Sequence, residues 1–349
     1  MMNVMKKIEK NLKLFLLFWG RIVFAKSHFS LPFWQKMRLN FGGGYLVDQS
    51  FIYDLKSNNK HQYLSEFDWY KSRTINEPFD TMLNNKLICT EVFKHYIDMP
   101  EVLFVKNKKN LSNYQSNCHT IDAVVDLVKK YQAIYIKPIN LGKGDGVNLL
   151  EFFQNTFYFN RKEAKAEEII EVLDKMKNWF ATPGVEQAQY LDDIYDKTSN
   201  TIRMIVVKDP KINQFTVLFA VQRIGVHSSI PVDNGSRGGL VSKINLDTGE
   251  LSIAKSIQTL GEFSVHPDSQ KPIEGVVIPD WQKMVQKIID VSNKFPYLNF
   301  IGWDILPNKQ GGFSVIEANT SSGVNIIQIW GPQRYDKLGE FYRYHGVIK

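Results

Sequence analysis

Residues 302–319 read GWDILPNKQGGFSVIEAN. Two apolar runs flank a polar turn at residues 308–312, so the stretch predicts two strands joined by a turn. Asp304 lies in the first strand, and Glu317 and Asn319 lie two positions apart in the second, which puts both on the same side of it. Carboxylate and amide oxygens suit Mg²⁺, and a carboxylate in an apolar strand is costly to bury without a cation. The stretch therefore predicts a metal site, with a strand pair carrying exposed acids as the alternative.

A second stretch, residues 134–147, reads IYIKPINLGKGDGV. It has Lys137 at the end of an apolar run and then three glycines, Gly142, Gly144 and Gly146. An ammonium group beside backbone N–H groups that no side chain shields is what a polyphosphate needs. Strand-like residues follow the glycines, so this is not the Walker pattern, in which Gly-Lys-Ser/Thr opens a helix. The stretch predicts either a hairpin lid over phosphates or an ordinary polar turn between two strands.

Two arginines lie within apolar runs between these motifs. Arg203 occurs in SNTIRMIVV and Arg223 in FAVQRIG. An arginine in a buried strand normally has an anionic partner, which here is either a bound phosphate or the carboxylates described above. The loop VDNGSRGGLVSKI, residues 232–244, adds Asn234 and Arg237, and we expect these two side chains to contact substrate.

The remaining pattern is that of an α+β protein with α/β character. Helices are predicted near residues 84–96, 121–131, 162–180 and 281–293. Strands are predicted near residues 102–105, 133–139, 148–153, 156–160, 201–207, 216–224, 300–306 and 313–319, with a hairpin turn at 247–249. We expect an N-terminal accessory segment (1–75), a first lobe with the glycine-rich lid (76–190) and a C-terminal lobe with the metal and substrate site (191–349), the two lobes joined by an extended connector near 183–195.

The excess positive charge is concentrated at the N-terminus. The 349-residue chain has a formal net charge of +7, and residues 1–40 hold eight basic side chains against one acidic one, 8 − 1 = +7. A basic surface spread over the molecule would suggest nucleic acid, whereas this one coincides with LKLFLLFWGRIVFAK, residues 12–26. That run is too short for a membrane span and is broken by Arg21. It predicts a basic helix that either lies on an anionic membrane surface or packs its aromatic side on the protein's own body or on a partner subunit.

The two cysteines bear on the compartment. Cys89 and Cys118 lie far apart and have no metal-type spacing. Two cysteines are also too few for a disulfide framework, which indicates a reducing compartment. We therefore expect a cytoplasmic protein, located at the inner face of the membrane if the N-terminal helix binds lipid.

The order of the polar motifs resembles that of ATP-grasp enzymes. The residues that carry this resemblance are Lys86 in NNKLICTEVF, Lys137, Glu186 in GVEQAQYL, Arg203, Asp304, Glu317 and Asn319. More narrowly, SNTIRMIVV, RIGVHSSIPVDNGSRGGL, DTGEL, HPDSQKPIEGVVIPDW and FIGWDI resemble the sugar-transfer-associated ATP-grasp group, which is related to proteins encoded beside cell-surface polysaccharide genes. The similarity covers residues 75–330 and departs from the usual pattern at Asn85, which replaces an acid, and at Gln187.

The resemblance implies a fold in which two α+β lobes clamp ATP. It implies that Lys86 and Lys137 contact the phosphates beneath the glycine-rich lid, and that Arg203 stabilises charge on the transferred phosphoryl group. Main-chain groups of Glu186, Gln187 and Ala188 would read adenine, Asp192 or Asp193 would bind ribose, and Asp304, Glu317 and Asn319 would hold Mg²⁺.

The implied chemistry is that of a carboxylate–amine ligase that forms an acyl phosphate. Arg223, Asn234 and Arg237 would contact the carboxylate or sugar. His266, in SVHPDSQ, is either an acid/base group or a structural loop histidine. Two alternatives are a kinase that phosphorylates a sugar hydroxyl and a non-catalytic, membrane-peripheral scaffold of a polysaccharide assembly. The substrate would be a small carboxylate or sugar-linked molecule in surface-polysaccharide synthesis, and no nucleic acid partner is expected.

Overall fold

A computed structural model of the protein describes residues 2–139 and 146–349, without the side chains of residues 2–7 and 10. The predicted positions Gly142 and Gly144 lie outside the described residues. In the described part the strands form two seven-stranded sheets in which every neighbouring pair is antiparallel. Such sheets with helices packed on them form an α+β fold, as predicted.

The first sheet has the strand order β2-β1-β7-β3-β4-β5-β6. Its strands are β1 (Phe104–Asn107), β2 (Asn110–Asn113), β3 (Ala133–Pro138), β4 (Asn148–Phe153), β5 (Thr156–Phe159), β6 (Lys162–Ala164) and β7 (Trp179–Pro183). The second sheet has the order β12-β11-β10-β9-β8-β13-β14. Its strands are β8 (Ile202–Asp209), β9 (Gln214–Ile224), β10 (Leu240–Ile244), β11 (Leu251–Ser256), β12 (Glu262–Phe263), β13 (Phe300–Pro307) and β14 (Phe313–Asn319).

The α-helices come partly before, partly between and partly after these strands. They are α1 (Met2–Phe18), α2 (Phe33–Phe41), α3 (Val47–Ile52), α4 (Glu66–Ser72), α5 (Thr81–Asn84), α6 (Lys86–Phe93), α7 (Ile121–Tyr131), α8 (Ala166–Lys175), α9 (Gln189–Tyr195), α10 (Trp281–Asn293), α11 (Asn325–Gln328) and α12 (Lys337–Tyr344). None of the described helices is both long and apolar enough to cross a membrane.

Two helices cover the first sheet. The apolar side chains of α7 and α8 repeat at helical spacing, which gives each helix one apolar stripe. Val128 of α7 and Leu173 of α8 are fully buried in one cluster with Ile136 and Trp179 of the sheet. Thr120 caps α7 by accepting the Ala123 N–H at 3.3 Å. This stack holds β3, and with it Lys137, in place.

The second sheet is buried on both sides. On one side, α6 and α10 pack on it, and Phe93, Ile288 and Trp303 share a cluster there. On the other side, a separate cluster joins Leu64 and Phe341 to sheet residues. Strand β13 is therefore buried along its whole length. A charged side chain in that strand must find its partners inside the protein.

The packing groups the N-terminal residues differently from the predicted boundaries. Leu64 lies in a cluster of the second sheet, although residues 1–75 read as an accessory segment. Leu83 and Phe93 also belong to a cluster of that sheet, although residues 76–190 read as the first lobe. Asn76 adds a buried link, because its amide donates to the Phe300 carbonyl at 2.6 Å. A sequence pattern detects the elements but not the sheet on which a helix packs.

The predicted helix at residues 162–180 is wrong at both ends. The structure has β6 first, then α8, and then the strand Trp179–Pro183 (β7). The helix ends at Lys175, and Asn178 has a left-handed φ of 54°. β7 lies between β1 and β3 in the sheet, and its sequence WFATP does not alternate between apolar and polar residues. Such a run cannot be distinguished by its pattern from the end of a buried helix, which explains the wrong prediction.

Candidate active site

The strand register brings the predicted charged residues together. Arg203 of β8 lies directly opposite Asp304 of β13, and Asp304 lies opposite Glu317 of β14. Residues that are opposite one another on adjacent strands project to the same side of the sheet. Asn319 lies two residues beyond Glu317 and opposite Gly302. Three adjacent strands thus present Arg203, Asp304 and Glu317 as one row, with Asn319 beside it on the same side of β14.

Asp304 is a buried carboxylate held by two guanidinium groups. Arg203 binds it with two nitrogens, Nε at one oxygen and Nη2 at the other, the latter at 2.9 Å. Arg223 Nη2 lies 3.2 Å from Asp304 Oδ2. Burial by itself raises the pKa of Asp304, but the two guanidinium groups outweigh it and the pKa falls below its ordinary value. Among the described residues, Asp304 is thus the anionic partner of Arg203.

Arg223 lies between two carboxylates. Its Nη2 is 3.5 Å from Asp233 Oδ1, and its Nε donates to Thr201 Oγ1 at 3.0 Å. Thr201 in turn donates its hydroxyl to Asp233 at 2.6 Å. Burial acts to lower the pKa of Arg223, yet Asp233 and Asp304 together raise it. The sequence did not single out Asp233 or Thr201, although Asp233 lies in the glycine-bearing loop next to Asn234.

Lys86 starts the helix that faces this row. Asn85 accepts the backbone N–H groups of Leu87 and Ile88, both at 3.1 Å, so the amide caps α6 where an acid was expected. The Lys86 ammonium binds the Glu317 carboxylate. Burial lowers the pKa of Lys86 to about 8.

Lys137, in β3 of the first sheet, lies close to Lys86. The Lys86 N–H donates to the Ile139 carbonyl at 3.2 Å, which ties the start of α6 to the end of β3. Lys137 is only 8% exposed, and its Nζ lies 5.9 Å and 6.0 Å from the ring centroids of Tyr135 and Phe180. Among the described residues its ammonium has no hydrogen-bond acceptor and no carboxylate. Burial, and then the charge of Lys86, lower the pKa of Lys137 to about 7.

Counted over the residues that the structure describes, the site has more cations than anions. Counting both lysines as protonated, its cations are Lys86, Lys137, Arg203 and Arg223, and its anions are Asp233, Asp304 and Glu317, which gives 4 − 3 = +1. Within residues 2–139 and 146–349, this excess of positive charge, with Lys137 unpaired, favours an anionic ligand such as phosphate.

The predicted metal ligands fit Mg²⁺ by donor type. Carboxylates and an amide oxygen are hard donors. In this structure, however, the carboxylate charges are neutralised by Arg203, Arg223 and Lys86, and Asn319 donates its amide to the Gly302 carbonyl at 3.3 Å. Within residues 2–139 and 146–349, no group of three His, Cys, Asp or Glu residues has the arrangement to hold a metal. The donor types therefore fit Mg²⁺, while in this structure both carboxylates are paired with side-chain cations.

The connector is anchored to the turn between β13 and β14. Lys309 N–H donates to the Glu186 carbonyl at 3.1 Å, and Ala188 N–H donates to the Pro307 carbonyl at 2.8 Å. In this antiparallel bridge the N–H and C=O of Gln187 face the opposite edge. The Gln187 side chain is buried and donates to Asp192 at 2.9 Å, and Asp193 accepts a bond of 2.8 Å from Gln189. Recognition of adenine and ribose at the connector stays a prediction. The Gln187 N–H and C=O, which the bridge does not use, are the main-chain groups available for it.

A comparison with protein-family models identifies the family. The model described as sugar-transfer associated ATP-grasp matches residues 68–335, which is more than half of the chain. The protein belongs to this family. The resemblance stated from the ordered motifs is thereby confirmed, and so is the ATP-grasp fold.

Solved ATP-grasp structures are similar in fold. The ligase PsnB complexed with minimal precursor, Mg and ADP is 12% identical, with a TM-score of 0.41 over 78% of this chain and 60% of PsnB. D-alanyl-alanine synthetase A from Vibrio cholerae is 10% identical, with a TM-score of 0.42 over 76% and 65% of the two chains. The ADP complex of PurK, N5-carboxyaminoimidazole ribonucleotide synthetase, is 8% identical, with a TM-score of 0.40 over 70% and 46%. The chain thus spans less than two thirds of each of these proteins, and no match is found among curated proteins.

The second glycine-bearing loop of this ATP-grasp protein is a tight turn. Asn234 accepts the Ser236 N–H at 3.0 Å and opens a short 3₁₀ turn that ends at Arg237. A Cβ atom on Gly239 would lie 2.5 Å from the Asp233 carbonyl oxygen, so only glycine fits there. Substrate contact by Asn234 and Arg237 stays a prediction. At the edge of the lid, Gly146 has a left-handed φ of 72°.

His266 is part of the support of this ATP-grasp lobe. It is fully buried, and its Nε2 bonds the Gly225 carbonyl at 2.7 Å. Its Nδ1 accepts the backbone N–H groups of Asp268 and Ser269, both at 3.2 Å, which assigns the proton to Nε2. The ring stacks on Tyr195 at 4.4 Å between centroids, and burial lowers its pKa. Both ring nitrogens are engaged, so the geometry favours the structural alternative over acid/base catalysis.

Replacing His266 by leucine is expected to lower stability without a direct effect on chemistry. The substitution leaves the Gly225 carbonyl and two backbone N–H groups unpaired, which costs about 1–3 kcal/mol of unfolding free energy. Thermal unfolding measures this loss, and His227→Leu, at an exposed histidine, is the matched control. A folded His266→Leu protein that binds ATP normally but has lost ATP turnover would contradict the structural role.

Proposed function

We propose that the protein is an ATP- and Mg²⁺-dependent carboxylate–amine ligase that forms an acyl phosphate and acts in cell-surface polysaccharide or sugar-conjugate biosynthesis. The observation that carries the proposal is the meeting of Lys137, from β3 of the first sheet, with Lys86 and with the Arg203–Asp304–Glu317 row of the second sheet. Membership of the sugar-transfer-associated ATP-grasp family supports the polysaccharide context.

The roles follow from charge and position. Lys86 and Lys137 would hold the triphosphate, since both are buried cations and Lys137 has no anionic partner among the described residues. Arg203 and Arg223 would stabilise the charge that develops on the transferred phosphoryl group. Asp304, Glu317 and Asn319 would hold Mg²⁺, which when bound neutralises phosphate charge. The site acts by positioning and by electrostatics.

The bond changes balance without a protein nucleophile. Held beside the arginines, a substrate carboxylate oxygen attacks the γ-phosphorus, and the bond to the β-phosphate oxygen breaks to release ADP. An amine then attacks the acyl carbon, phosphate leaves with the bonding electrons, and the amine loses a proton to solvent. A cytoplasmic location would supply the ATP and agrees with two free cysteines.

Release of ADP with hydroxylamine trapping tests the proposal. Purified protein with Mg²⁺ and ATP is incubated with pools of uronic acids, amino acids and nucleotide sugars. We expect ADP release with one carboxylate pool, formation of a hydroxamate when hydroxylamine replaces the amine, and loss of both in Glu317→Gln.

Two other outcomes would redirect the conclusion. ADP release without a hydroxamate, with phosphate appearing on a sugar hydroxyl, would indicate the kinase instead. ATP binding without ADP release in any pool would contradict the ligase and favour a scaffold. The excess of cations over anions among the described residues of the site argues against a non-catalytic scaffold protein. Burying such an excess lowers stability, and a bound anionic ligand would explain why it is present.

A further inference from the structure

The first 41 residues expose an unusual amount of apolar side chain. We define the N-terminal aromatic surface as the exposed apolar residues of α1, α2 and the segment between them. These residues and their exposed fractions are Ile8 61%, Leu12 56%, Phe15 58%, Leu16 61%, Phe24 72%, Phe33 63%, Trp34 80% and Phe41 58%. An exposed cluster of this kind marks an interaction surface.

Helix α1 exposes an apolar stripe to the solvent, whereas an ordinary surface helix turns its apolar stripe toward the protein. Ile8, Leu12, Phe15 and Leu16 have the spacing of one helical stripe, and all four are exposed. Phe18 lies on the protein side, where its ring centroid is 5.2 Å from that of Phe67. The protein thus holds α1 by one side and presents a second apolar side to the solvent.

Ring contacts join α1 and α2 into one surface. The Trp19 ring centroid lies 6.1 Å from that of Phe15, 5.8 Å from that of Phe24 and 5.8 Å from that of Phe41. Just after Trp19, Ile22 and Val23 are buried and attach this part of the chain to the body. These contacts hold Phe15, Phe24 and Phe41 around Trp19, and Trp34 packs against the neighbouring Phe33 ring at 5.3 Å between centroids.

Exposed basic side chains lie in the same segment of the chain as the N-terminal aromatic surface. Lys13, Arg21, Lys26 and Arg38 are exposed, and Glu9 is the sole acid among residues 1–40. Exposed aromatic residues accompanied by basic ones match a bilayer interface, where rings enter the headgroup region and cations meet anionic lipid. A protein partner would need a matching acidic pocket, whereas a bilayer needs no shape complementarity.

We infer that the N-terminal aromatic surface binds the interface of an anionic phospholipid bilayer, with α1 and α2 lying along it. The helices do not cross the membrane, in accord with the absence of a spanning helix among the described residues. Binding would hold the ATP site beside lipid-anchored molecules. This inference does not depend on the proposed ligase activity, because its test measures lipid binding alone.

Vesicle flotation of the full-length protein tests the inference. We expect it to float with vesicles of phosphatidylcholine and phosphatidylglycerol in equal parts, to stay behind with phosphatidylcholine alone, and to dissociate as salt rises. Phe15→Ser/Trp34→Ser should weaken binding by at least about tenfold, and Arg21→Gln/Lys26→Gln by a similar factor. The matched control is Phe153→Ser/Ile212→Ser, whose side chains are 61% and 57% exposed elsewhere on the protein.

Quenching by brominated lipid gives a second readout. Trp34 is the most exposed of the large apolar residues, while Trp179, Trp281 and Trp303 are buried. Brominated phosphatidylglycerol should therefore quench Trp34 and Trp19, the two tryptophans of this segment, and Trp34→Phe should lose the Trp34 share of that quenching while it keeps vesicle binding. Failure to bind anionic vesicles would overturn the inference, as would equal binding by Phe15→Ser/Trp34→Ser. A dimer in solution that this variant abolishes, without vesicle binding, would also overturn it and assign the surface to a second copy of the chain.

Discussion

Asp304→Asn is expected to abolish ATP turnover and to destabilise the protein at the same time. The substitution preserves shape but removes the charge that Arg203 and Arg223 share. Breaking a buried ion pair from one side costs about 3–5 kcal/mol, because the remaining charge stays buried without compensation. Loss of the carboxylate that we propose holds Mg²⁺, and of the alignment of Arg203, should lower turnover by at least about 100-fold.

Thermal unfolding and ADP release measure the two effects separately. Asp196→Asn is the matched control, because that carboxylate is 56% exposed and contacts only Lys197 in an ion pair, so its loss should change stability by less than about 0.5 kcal/mol. Inorganic phosphate should stabilise Asp304→Asn more than the wild-type protein, since Arg203 then loses its carboxylate partner and Arg223 keeps Asp233 but loses Asp304. An Asp304→Asn protein that retains turnover within about tenfold would contradict the role assigned to this carboxylate.

The row of charges on β8, β13 and β14 could be anticipated in part. An acid within an apolar strand, and two polar residues spaced two apart in the next, are local signals, and they led to Asp304, Glu317 and Asn319. The sequence could not give the register that sets Arg203 opposite Asp304. It could not decide, either, whether Arg203 meets a carboxylate or a phosphate.

Residues outside a periodic pattern were harder to find. Asp233 joins the site through Thr201, which precedes β8 and is 32 residues away in the chain, and nothing in the spacing links the two. His266 lies in a polar loop sequence, and its burial depends on Tyr195 and Gly225, which are remote in sequence. Such contacts arise only when the loops of the second sheet are packed together.

Lys137→Met is expected to stabilise the protein while it abolishes ATP binding. The Lys137 ammonium is buried beside the rings of Tyr135 and Phe180, with no carboxylate among the described residues. Methionine has a similar length, and its thioether packs well against aromatic rings. The variant removes a buried charge, and ATP loses a phosphate contact that the first lobe supplies.

The pH dependence has a defined sign. The pKa of Lys137 is about 7 in the folded protein against an ordinary value of 10.5, so the unfolded chain binds more protons between these limits. The free energy of unfolding therefore rises with pH across this range, and the cost of burying Lys137 is largest below it. The pKa shift of Lys137 corresponds to a destabilisation of at most about 4 kcal/mol at neutral pH, which Lys137→Met would remove. This stability gain of Lys137→Met should vanish as the pH approaches 10.5.

Lys106→Met is the matched control, because it changes another buried lysine in the same sheet. Lys106 is 3% exposed, but its ammonium donates to the carbonyls of Leu173 and Asp174 at 3.1 Å and 2.5 Å. Its removal leaves the Asp174 carbonyl unpaired and the Leu173 carbonyl with only the weaker bond from the Trp179 indole N–H at 3.4 Å, and should destabilise the protein by about 1–3 kcal/mol. Chemical denaturation at several pH values and ATP titration calorimetry measure both variants. Two results would contradict the role assigned to Lys137 as a phosphate-binding cation: a Lys137→Met protein that is less stable than the wild type at neutral pH, or one that binds ATP equally well.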